Sequence, residues 1–515
     1  MRYTAVPKEI SSAEVLGNQV SFSPAQYKRV IIKNPDRIPV KDFLSRELKR
    51  SDLGVEVGSL NYIRQSPKSF LRTKGLQAHS FLPDVTAESL TPVNPKAFVK
   101  QNLKEGDLII SKDSNIGEII ILDQDYPDWM LSGALYKLPV KRWKYYLLAF
   151  IKHPCFREQL DILVPLSATI RHAKTKFLEC QVPLPNQNQD EVIEYVEVLT
   201  KAAINKEREI RRKHLLIQEQ IETELAGNQK SVKYRYEFPS LDDVRAVNRL
   251  DTNLFRPSFR QHEFKIKNYA KGFQSIRRLD FGISRGQNLQ ISNIGKSIYS
   301  DQHYPNFYTL LLPKYISRYG TVDEVEYLGN KNRLKTLKKG DLIFGAEGFE
   351  KGRSLIVTDE SSKTITNIHG ITLHHRTGNM VLSVFVKCFL DHLRNTGLVD
   401  LYAVGGNGGS LAMKYWDIIP FPNFPPDKQT EIARLYHNAD AAITVDRLTV
   451  ENFIVTDNVF NETAGIVELD KTAKKIKTRI NEVIDLIVRD EPVKTAFDFL
   501  LPASHPQSPP ADTVQ

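Results

Sequence analysis

Short runs of apolar residues predict buried β-strands in two separate parts of the chain. The runs are 108–110 and 119–122 in the first part, and 342–344 and 355–357 in the second. Such runs, bounded by glycine and polar residues, are typical of strands that are covered on both faces. A Gly-Asp turn precedes the first run of each pair, and a turn of this kind leads the chain into a strand.

A helical spacing of apolar residues predicts a long first helix over about 190–225. This stretch contains neither proline nor glycine. Apolar residues recur every seven positions, at Val196, Ala203, Ile210 and Ile217. The second seam position of the heptad is polar, at Lys206, Lys213 and Gln220, so the coiled-coil repeat is imperfect. A helix of about 36 residues reaches about 54 Å, a length typical of a spacer.

A second helical stretch is predicted to begin near Asp427. Its pattern is lost over 452–465, which we interpret as a turn, and it ends at Pro492. After that turn the apolar residues alternate three and four apart, as in a coiled-coil seam, at Leu469, Ala473, Ile476, Ile480, Val483 and Ile487. The two helical stretches either pair with each other in antiparallel fashion or pack on their own domains. Residues 502–515 have the composition of a disordered tail.

The chain contains an internal repeat. The octapeptide at 103–110 recurs at 337–344 with an offset of 340 − 106 = 234, and the pentapeptide at 182–186 recurs at 419–423 with an offset of 420 − 183 = 237. Two matches at nearly the same offset predict one large domain present twice, because a solenoid repeat would have a period of only about 20–50 residues.

The amino-acid composition limits the kinds of protein that the chain can be. The chain has 515 residues with 71 Lys+Arg against 61 Asp+Glu, a net charge of +10 that is a mild hint of a polyanionic partner. Its three cysteines, Cys155, Cys180 and Cys388, are far apart, which excludes a disulfide framework and a cysteine-rich zinc module. Because no apolar run approaches the roughly 20 residues of a membrane span and the N-terminus lacks an apolar segment, we expect a cytoplasmic protein without a membrane partner.

Catalytic signatures are weak. An Asn-Pro-Pro-aromatic or Asp-Pro-Pro-aromatic tetrapeptide, which an adenine methyltransferase would carry, does not occur in the sequence. Asp251, Glu263 and Lys265 fit the pattern of a metal-dependent nuclease, but this spacing is common by chance in a highly charged chain. His369, His374 and His375 do not predict a metal site, because adjacent histidines of a strand point to opposite faces. We therefore expect no catalytic residue and no metal ligand.

Basic and amide side chains support a nucleic-acid partner. Residues 228–286 contain 13 Lys+Arg and 6 Asp+Glu, a local excess of 13 − 6 = +7. Arginine and lysine bind guanine edges and phosphates, whereas asparagine and glutamine bind adenine. The predicted loops 111–115 and 285–288 carry side chains of both kinds. A solvated surface explains each residue singly, and only the duplication favours DNA binding.

In these repeated motifs the chain resembles the DNA-specificity subunits of type I restriction-modification systems. The motifs are Leu-Lys-(Glu/Lys)-Gly-Asp-Leu-Ile at 103–109 and 337–343, and Pro-Leu-Pro and Pro-Phe-Pro at 183–185 and 420–422. Segments 169–174 and 408–414 occupy matching places, and 422–429 is similar to the family's entry into its helical spacer. The resemblance covers about residues 35–490. The two halves diverge outside the motifs, as expected if each reads a different DNA sequence.

The resemblance implies an α+β fold with two target-recognition domains in tandem, each followed by a long helix, the helices pairing as an antiparallel coiled-coil spacer. The implied boundaries are an N-terminal segment at 1–35, the first recognition domain at 36–186, the first spacer at 187–227, the second recognition domain at 228–423, the second spacer at 424–491 and a disordered tail at 492–515.

The implied function is a non-catalytic subunit that reads a two-part sequence in double-stranded DNA for phage defence and DNA methylation. Its implied partners are two methyltransferase subunits and, in systems that restrict, motor–nuclease subunits. S-adenosylmethionine would bind the methyltransferase partner, so no cofactor is expected in this chain. The alternatives are a metal-dependent nuclease and a coiled-coil scaffold with no role on DNA.

We predict DNA-contacting residues from side-chain chemistry and position relative to the motifs. In the first half they are Arg64, Lys68, Arg72, Lys74, Lys112, Asn115, Arg171 and Lys174, and in the second half Arg285, Gln287, Asn288, Lys296, Lys351, Arg353, Asn407 and Lys414.

Overall fold

The structure is a computed structural model and describes residues 3–17, 27–164, 171–250, 252–348, 351–360, 363–405, 409–443 and 448–501. The chain divides into two compact units. Unit 1 comprises Met1–Arg208, Ile443–Glu462 and Lys471–Gln515, and unit 2 comprises Glu209–Ala442 and Thr463–Asp470.

The described residues up to Gly227 form ten strands and four α-helices. The strands are β1 Thr4–Ala5, β2 Arg29–Val30, β3 Arg37–Pro39, β4 Ser69–Leu71, β5 Leu90–Pro92, β6 Leu108–Ser111, β7 Ile119–Ile121, β8 Trp129–Leu131, β9 Leu135–Leu138 and β10 Gln181–Pro183. The helices are α1 Ser12–Gly17, α2 Lys144–Lys152, α3 Pro154–Leu163 and α4 Gln189–Gly227.

The described residues after Gly227 form ten further strands and eight α-helices. The strands are β11 Phe273–Gln274, β12 Phe281–Arg285, β13 Ser297–Ser300, β14 Tyr308–Leu310, β15 Glu326–Asn330, β16 Leu342–Gly345, β17 Ser354–Ile356, β18 Thr364–Ile365, β19 Gly370–His375 and β20 Phe421–Pro422. The helices are α5 Leu241–Val247, α6 Pro257–Lys267, α7 Ile291–Ile294, α8 Met380–Asn395, α9 Leu398–Tyr402, α10 Pro426–Tyr436, α11 Phe453–Thr463 and α12 Ile466–Val488.

Unit 1 contains two three-stranded sheets with a simple order. One has the order β7-β6-β9, in which β6 pairs antiparallel with both neighbours. The other has the order β5-β4-β8, in which β4 pairs antiparallel with β5 and parallel with β8. A separate antiparallel pair joins β3 to β10, so the Pro-x-Pro element is extended, as predicted.

Unit 2 has the same strand order with one additional strand on each sheet. Its sheets are β17-β16-β19-β12 and β18-β14-β15-β13, and the pairing senses are those of unit 1, including the parallel pair β14–β18. The antiparallel pair β11–β20 corresponds to β3–β10. The added strands are β12, at the edge beside β19, and β13, at the edge beside β15.

The repeated Gly-Asp motif has the same conformation in both units. Gly106 and Gly340 adopt φ values of 80° and 88°, a left-handed conformation that favours glycine. The Asp107 carboxylate accepts the Lys104 N–H at 2.8 Å, and the Asp341 carboxylate accepts the Lys338 N–H at 2.9 Å. Glycine and aspartate therefore close the turn that leads into β6 and β16, which explains why the motif recurs.

The predicted strands are confirmed, and their burial explains the short apolar runs. Leu108 and Ile110 of β6 pack into one hydrophobic cluster, whereas Ile109 between them packs into another. Because successive side chains of a strand point to opposite faces, β6 is covered on both faces. Its partner β7 is buried throughout, and so is β16 in unit 2.

Helix α4 is confirmed over Gln189–Gly227. Its first half packs within unit 1 against the second half of α12, and Val196, Leu199, Ile480 and Val483 belong to one cluster of buried residues. The predicted turn over 452–465 is wrong, because residues 453–463 form α11.

The polar partners of Lys206 explain this error. The Lys206 ammonium is fully buried and donates to Asp457 at 2.5 Å and to Asn461 at 2.8 Å, both on the buried face of α11. Since two of the buried positions of α11 are polar, the helix lacks an apolar repeat. The same contact explains the first of the three polar seam positions of α4, Lys206.

None of the helices in the described part of the chain is both long enough and apolar enough to cross a membrane.

Candidate nucleic-acid interface

Each unit contains a pair of neighbouring loop segments, and the two pairs occupy the same structural position. In unit 1, residues Lys112–Asn115 follow β6 and lie beside Arg171–Lys174; we name these two segments loop cluster 1. In unit 2, residues Ala346–Gly348 follow β16 and lie beside Gly409–Ala412; we name these segments loop cluster 2. In each cluster the first segment is the start of a connection between two antiparallel, buried strands, β6–β7 or β16–β17.

The same main-chain hydrogen bonds hold both clusters. In cluster 1 the Ala173 N–H donates to the Lys112 carbonyl at 2.7 Å, and the Ser114 N–H donates to the Arg171 carbonyl at 3.0 Å. In cluster 2 the Leu411 N–H donates to the Ala346 carbonyl at 2.8 Å, and the Gly348 N–H donates to the Gly409 carbonyl at 3.2 Å. An isolated antiparallel bridge completes each arrangement, Asp113–His172 in one and Glu347–Ser410 in the other.

Cluster 1 gathers a carboxylate, a histidine and several predicted DNA-contacting residues. Asp113 forms an ion pair with Lys112 and accepts a hydrogen bond from His172 Nδ1 at 2.7 Å. Lys174 is exposed. Arg171 is mostly buried and pairs with Asp161 at 2.7 Å. This loop therefore presents an exposed histidine and lysine over a layer of paired charges.

Asn115 joins cluster 1 to the turn after β4. Its amide group donates to the carbonyls of Thr73 and Leu76 at 2.9 Å each. That turn carries Arg72 and Lys74, both exposed, and Lys74 pairs with Glu88 at 2.5 Å. Asn115 thus fixes one loop against another and is less available to read a base than the two exposed cations.

Cluster 2 contains a similar arrangement built from other segments. The Glu347 carboxylate accepts hydrogen bonds from Arg285 at 3.1 Å and from His369 Nδ1 at 2.6 Å. Burial alone would raise the pKa of Glu347, but the two hydrogen bonds outweigh burial and lower it. Glu347 is therefore a stable anion near neutral pH that orients two cationic or polar side chains.

The end of β12 extends cluster 2 with amide and basic groups. The Gln287 side chain accepts the Lys335 N–H at 3.0 Å, and the Asn288 side chain accepts the Gln290 N–H at 3.1 Å. The Lys335 ammonium donates to Ser284 Oγ at 2.7 Å. Of the three predicted contacts here, Arg285 bonds to Glu347 directly, and Gln287 and Asn288 follow it closely in the chain.

The other predicted residues lie elsewhere. Arg64 and Lys68 precede β4, at the end of that strand away from Arg72, and Lys68 pairs with Asp128 at 2.5 Å. Lys296 is exposed at the start of the added strand β13. Lys414 is exposed just after cluster 2.

Two of the predicted contacts bond to other parts of unit 2. Lys351 is 7% exposed and pairs with Asp400 at 2.6 Å, and the guanidinium of the half-buried Arg353 donates to the Ile316 carbonyl at 3.0 Å. The burial of Lys351 makes it poorly suited to contact DNA. Asn407 lies outside the residues that the structure describes.

Sequence reasoning missed four polar residues of the clusters, namely Asp113, His172, Glu347 and His369. A signal for the two carboxylates was present, because Asp113 follows Gly106 by seven residues and Glu347 follows Gly340 by the same number. The two histidines have no such relation, since His172 lies on the segment after α3 and His369 lies just before β19.

Glu263 and Lys265 of the nuclease pattern bind different partners in the structure. Glu263, on α6, accepts hydrogen bonds from Arg260 at 3.1 Å and from Tyr402 at 2.9 Å, whereas Lys265 pairs with Glu222. Asp251 lies outside the described residues. Over the described ranges, no group of three or more histidine, cysteine, aspartate or glutamate side chains could hold a metal ion.

The chain matches no protein-family model and no curated protein. Solved structures do resemble it. The S subunit of a type I restriction-modification system from M. genitalium is 11% identical with a TM-score of 0.38, over 89% of this chain and 96% of that one. A structure of the type I R-M system, described in terms of complex assembly and conformational transition, is 12% identical with a TM-score of 0.27, over 89% and 99%.

The HsdS subunit from Thermoanaerobacter tengcongensis is 11% identical with a TM-score of 0.24, over 88% of this chain and 96% of that one. At these identities and TM-scores, the function of the chain has to be inferred from its own residues.

Proposed function

We propose that the chain is the DNA-specificity subunit of a type I restriction-modification complex. The observation that supports this most is the repetition of one strand order and one loop scaffold with different side chains. A protein that reads two different DNA sequences needs the same framework twice and different contacts on each copy. Unit 1 would read one half of the target and unit 2 the other half.

The loop clusters, together with the basic and amide residues on the segments around them, are the proposed reading surfaces. Arginine and lysine would contact phosphates and guanine, and amide side chains would contact adenine. The contacts proposed for unit 1 are Arg64, Lys68, Arg72, Lys74, Lys112, Asn115, Arg171 and Lys174. Those proposed for unit 2 are Arg285, Gln287, Asn288, Lys296 and Lys414, with Asn407 kept as a proposal from sequence alone.

The helices would act as a spacer that sets the gap between the two half-sites. Support comes from the packing of the first half of α4 against the second half of α12 within unit 1. The Lys477 ammonium lies 2.7 Å from the Glu207 carboxylate, whereas Asn186, just before α4, contacts Asp490, just after α12. This antiparallel packing of the two helices within unit 1 supports the proposed spacer.

The chain would itself be non-catalytic and would dock two methyltransferase subunits, which bind S-adenosylmethionine. Where the system restricts, motor–nuclease subunits would join. The test is a map of N6-methyladenine in the source cell with and without the gene. Loss of methylation at one two-part motif, restored by the wild-type gene, is the expected result. An unchanged map in a cell whose other motifs are methylated would contradict the proposal.

Two rival functions predict other results. A metal-dependent nuclease would cleave plasmid when the full chain is incubated with Mg²⁺ or Mn²⁺, and Glu263→Ala would abolish the cleavage. A coiled-coil scaffold would show no salt-dependent DNA binding even with its partners. DNA binding without cleavage, weakened by salt, separates the proposal from both rivals.

A further inference from the structure

Each loop cluster contains one carboxylate at the same place. Asp113 and Glu347 lie at the same distance after the repeated Gly-Asp turn and at the same bridge position, and each cluster keeps the same two main-chain hydrogen bonds. A carboxylate on a surface that binds DNA repels phosphates unless it is paired. The presence of a carboxylate in both clusters therefore needs an explanation, because phosphate binding by basic residues does not require one.

Both carboxylates accept a hydrogen bond from a histidine. The distances to Nδ1 are 2.7 Å for His172 and 2.6 Å for His369. The two histidines come from different segments, because the counterpart of His172 in the bridge of unit 2 is Ser410. The two units thus form the same carboxylate–histidine pair with histidines from different segments. Duplication of a domain alone does not explain this, because a duplicated histidine would lie at the same position in both units.

The histidine rings face solvent. Their side chains are 60% and 57% exposed, whereas the carboxylates are 15% and 34% exposed. Since the carboxylate engages Nδ1, the Nε2 atom lies at the opposite edge of the ring. A carboxylate partner fixes the ring orientation and the tautomer, so that Nε2 of the neutral ring accepts and Nε2 of the charged ring donates.

We propose that His172 and His369 contact DNA, one in each half of the target, and that Asp113 and Glu347 are positioning residues that aim them. The proposal rests on the proposed function. Nε2 can accept from the amino group of adenine or cytosine, or donate to guanine or a phosphate. The other cations on the carboxylates, Lys112 and Arg285, neutralise the anion beside the DNA backbone.

The experiment uses the full chain, co-purified with the proteins that bind it in its source cell. Duplexes selected from a randomised DNA library provide the wild-type target and versions with base changes in one half or the other. Affinities are measured for His172→Ala and His369→Ala, with His262→Ala as the control, because His262 is exposed on α6 outside both clusters.

Each cluster variant is expected to bind about 5- to 150-fold more weakly, the range of a single base contact, and to lose discrimination in one half only. The half affected by His172→Ala should differ from the half affected by His369→Ala, and His262→Ala should bind as wild type. Wild-type affinity of both cluster variants, or equal relaxation of both halves by each variant, would overturn the proposal.

The positioning role has its own readout. If Asp113 acts through His172, Asp113→Asn should weaken binding, but the double variant with His172→Ala should bind no more weakly than His172→Ala alone. An additive loss would mean that Asp113 acts independently of the histidine, for instance through the loop. The same comparison applies to Glu347→Gln and His369→Ala. Thermal unfolding confirms that each variant is folded before binding is measured.

Failure of the proposed function is distinguishable from failure of this inference. If the wild-type complex selects no two-part DNA sequence, the specificity function itself is wrong. If the wild type selects such a sequence and the cluster variants read it normally, only the role of the histidines is wrong.

Discussion

Loop cluster 1 and loop cluster 2 are held by equivalent main-chain hydrogen bonds, yet their side chains differ at almost every position. Residues 112–115 read Lys-Asp-Ser-Asn, whereas 346–348 read Ala-Glu-Gly. At the other end of the same strand pair, the Gly-Asp turns agree in sequence and in conformation. One end of each β-hairpin is therefore constrained by folding, and the other end is free to change its contacts.

The difference between the two ends of the hairpin shows how one fold can be kept while the side chains exposed on it change. In the turn, glycine adopts the left-handed backbone conformation, and aspartate accepts a hydrogen bond from a backbone N–H that would otherwise be unpaired. Few other residues can take either role. The opposite loop is anchored through backbone atoms, which every residue type supplies. Side chains in that loop can therefore vary without loss of the fold, as a recognition surface requires.

The largest expected effect concerns two buried ion pairs, one taken from each unit. Asp457→Ala would leave the Lys206 ammonium buried without its carboxylate, and Asp391→Ala would do the same to Lys387, whose ammonium lies 2.6 Å from Asp391. Each change should lower the free energy of unfolding by about 3–5 kcal/mol. Chemical denaturation measures the loss, and amide hydrogen exchange should locate it in unit 1 or in unit 2 respectively.

The matched control replaces the ion pair together with Asn461, which bonds to both of its members. Lys206→Met with Asp457→Leu and Asn461→Leu should recover most of the stability lost in Asp457→Ala, because this apolar set leaves neither a buried charge nor an unpaired amide. A triple variant as unstable as Asp457→Ala would show that the fold depends on the polar cluster itself.

A smaller effect should appear on acidification and should differ between the units. Burial lowers the pKa of His153 in unit 1, and of His214 and His392 in unit 2, to about 4. In the unfolded chain a histidine takes up its proton near pH 6.5. Stability should therefore fall as the pH drops from about 6.5 toward 4, by up to about 1.4 kcal/mol per pH unit for each histidine.

Unit 2 contains two of these three histidines and should lose more stability than unit 1. Hydrogen exchange at pH 7.5 and pH 5 measures this for the two units separately. A larger loss in unit 1, or equal stability of unit 2 at the two pH values, would contradict the expected difference.

The Gly-Asp turn predicts a similar, modest cost in both units. Gly106→Ala and Gly340→Ala each place a side chain at a positive φ and should cost about 1–2 kcal/mol. Gly227→Ala, at the end of α4, is the control, because an added Cβ would meet no atom within 4 Å there. At Gly106 the added Cβ also displaces the Lys144 ammonium, which would lie 2.8 Å away, so Gly106→Ala should cost slightly more than Gly340→Ala; a larger cost at Gly340 would show that the two turns are not equivalent.

The smallest effect is expected for the exposed ion pairs beside those turns. Lys104 pairs with Asp125 at 2.6 Å, and Lys339 pairs with Glu360 at 3.5 Å. Lys104→Ala and Lys339→Ala should each change the free energy of unfolding by less than about 1 kcal/mol, because exposed ion pairs are screened by solvent. A larger change in thermal or chemical unfolding would give these lysines a structural role.

The sequence predicted those parts of the fold that depend on local pattern. The strands β6, β7, β16 and β17 follow from short apolar runs, and α4 follows from its heptad spacing. The helix α11 could not be predicted, since its buried Asp457 and Asn461 are polar residues whose partner, Lys206, lies more than 250 positions earlier in the chain. Long-range pairing of this kind leaves no periodic signal.

The candidate site could be predicted only in part, because contacts between distant segments leave no signal in the sequence. The cationic and amide residues near the repeated motifs were identifiable by chemistry and by their position. The enclosure of Lys351 by Asp400 depends on tertiary packing, and so does the meeting of His172 with Asp113 and of His369 with Glu347. Carboxylates at the predicted DNA surface were overlooked because single residues were assessed by charge, without their partners.

In the proposed function, one chain reads two separate DNA sequences, one with each unit. The most direct measurement is selection of bound duplexes from a randomised DNA library by the full chain together with its co-purified partners. We expect two fixed blocks of sequence separated by a constant number of unspecified base pairs, with binding that weakens as salt rises. A single continuous block, or no enriched sequence from a complex that does bind DNA, would contradict the claim.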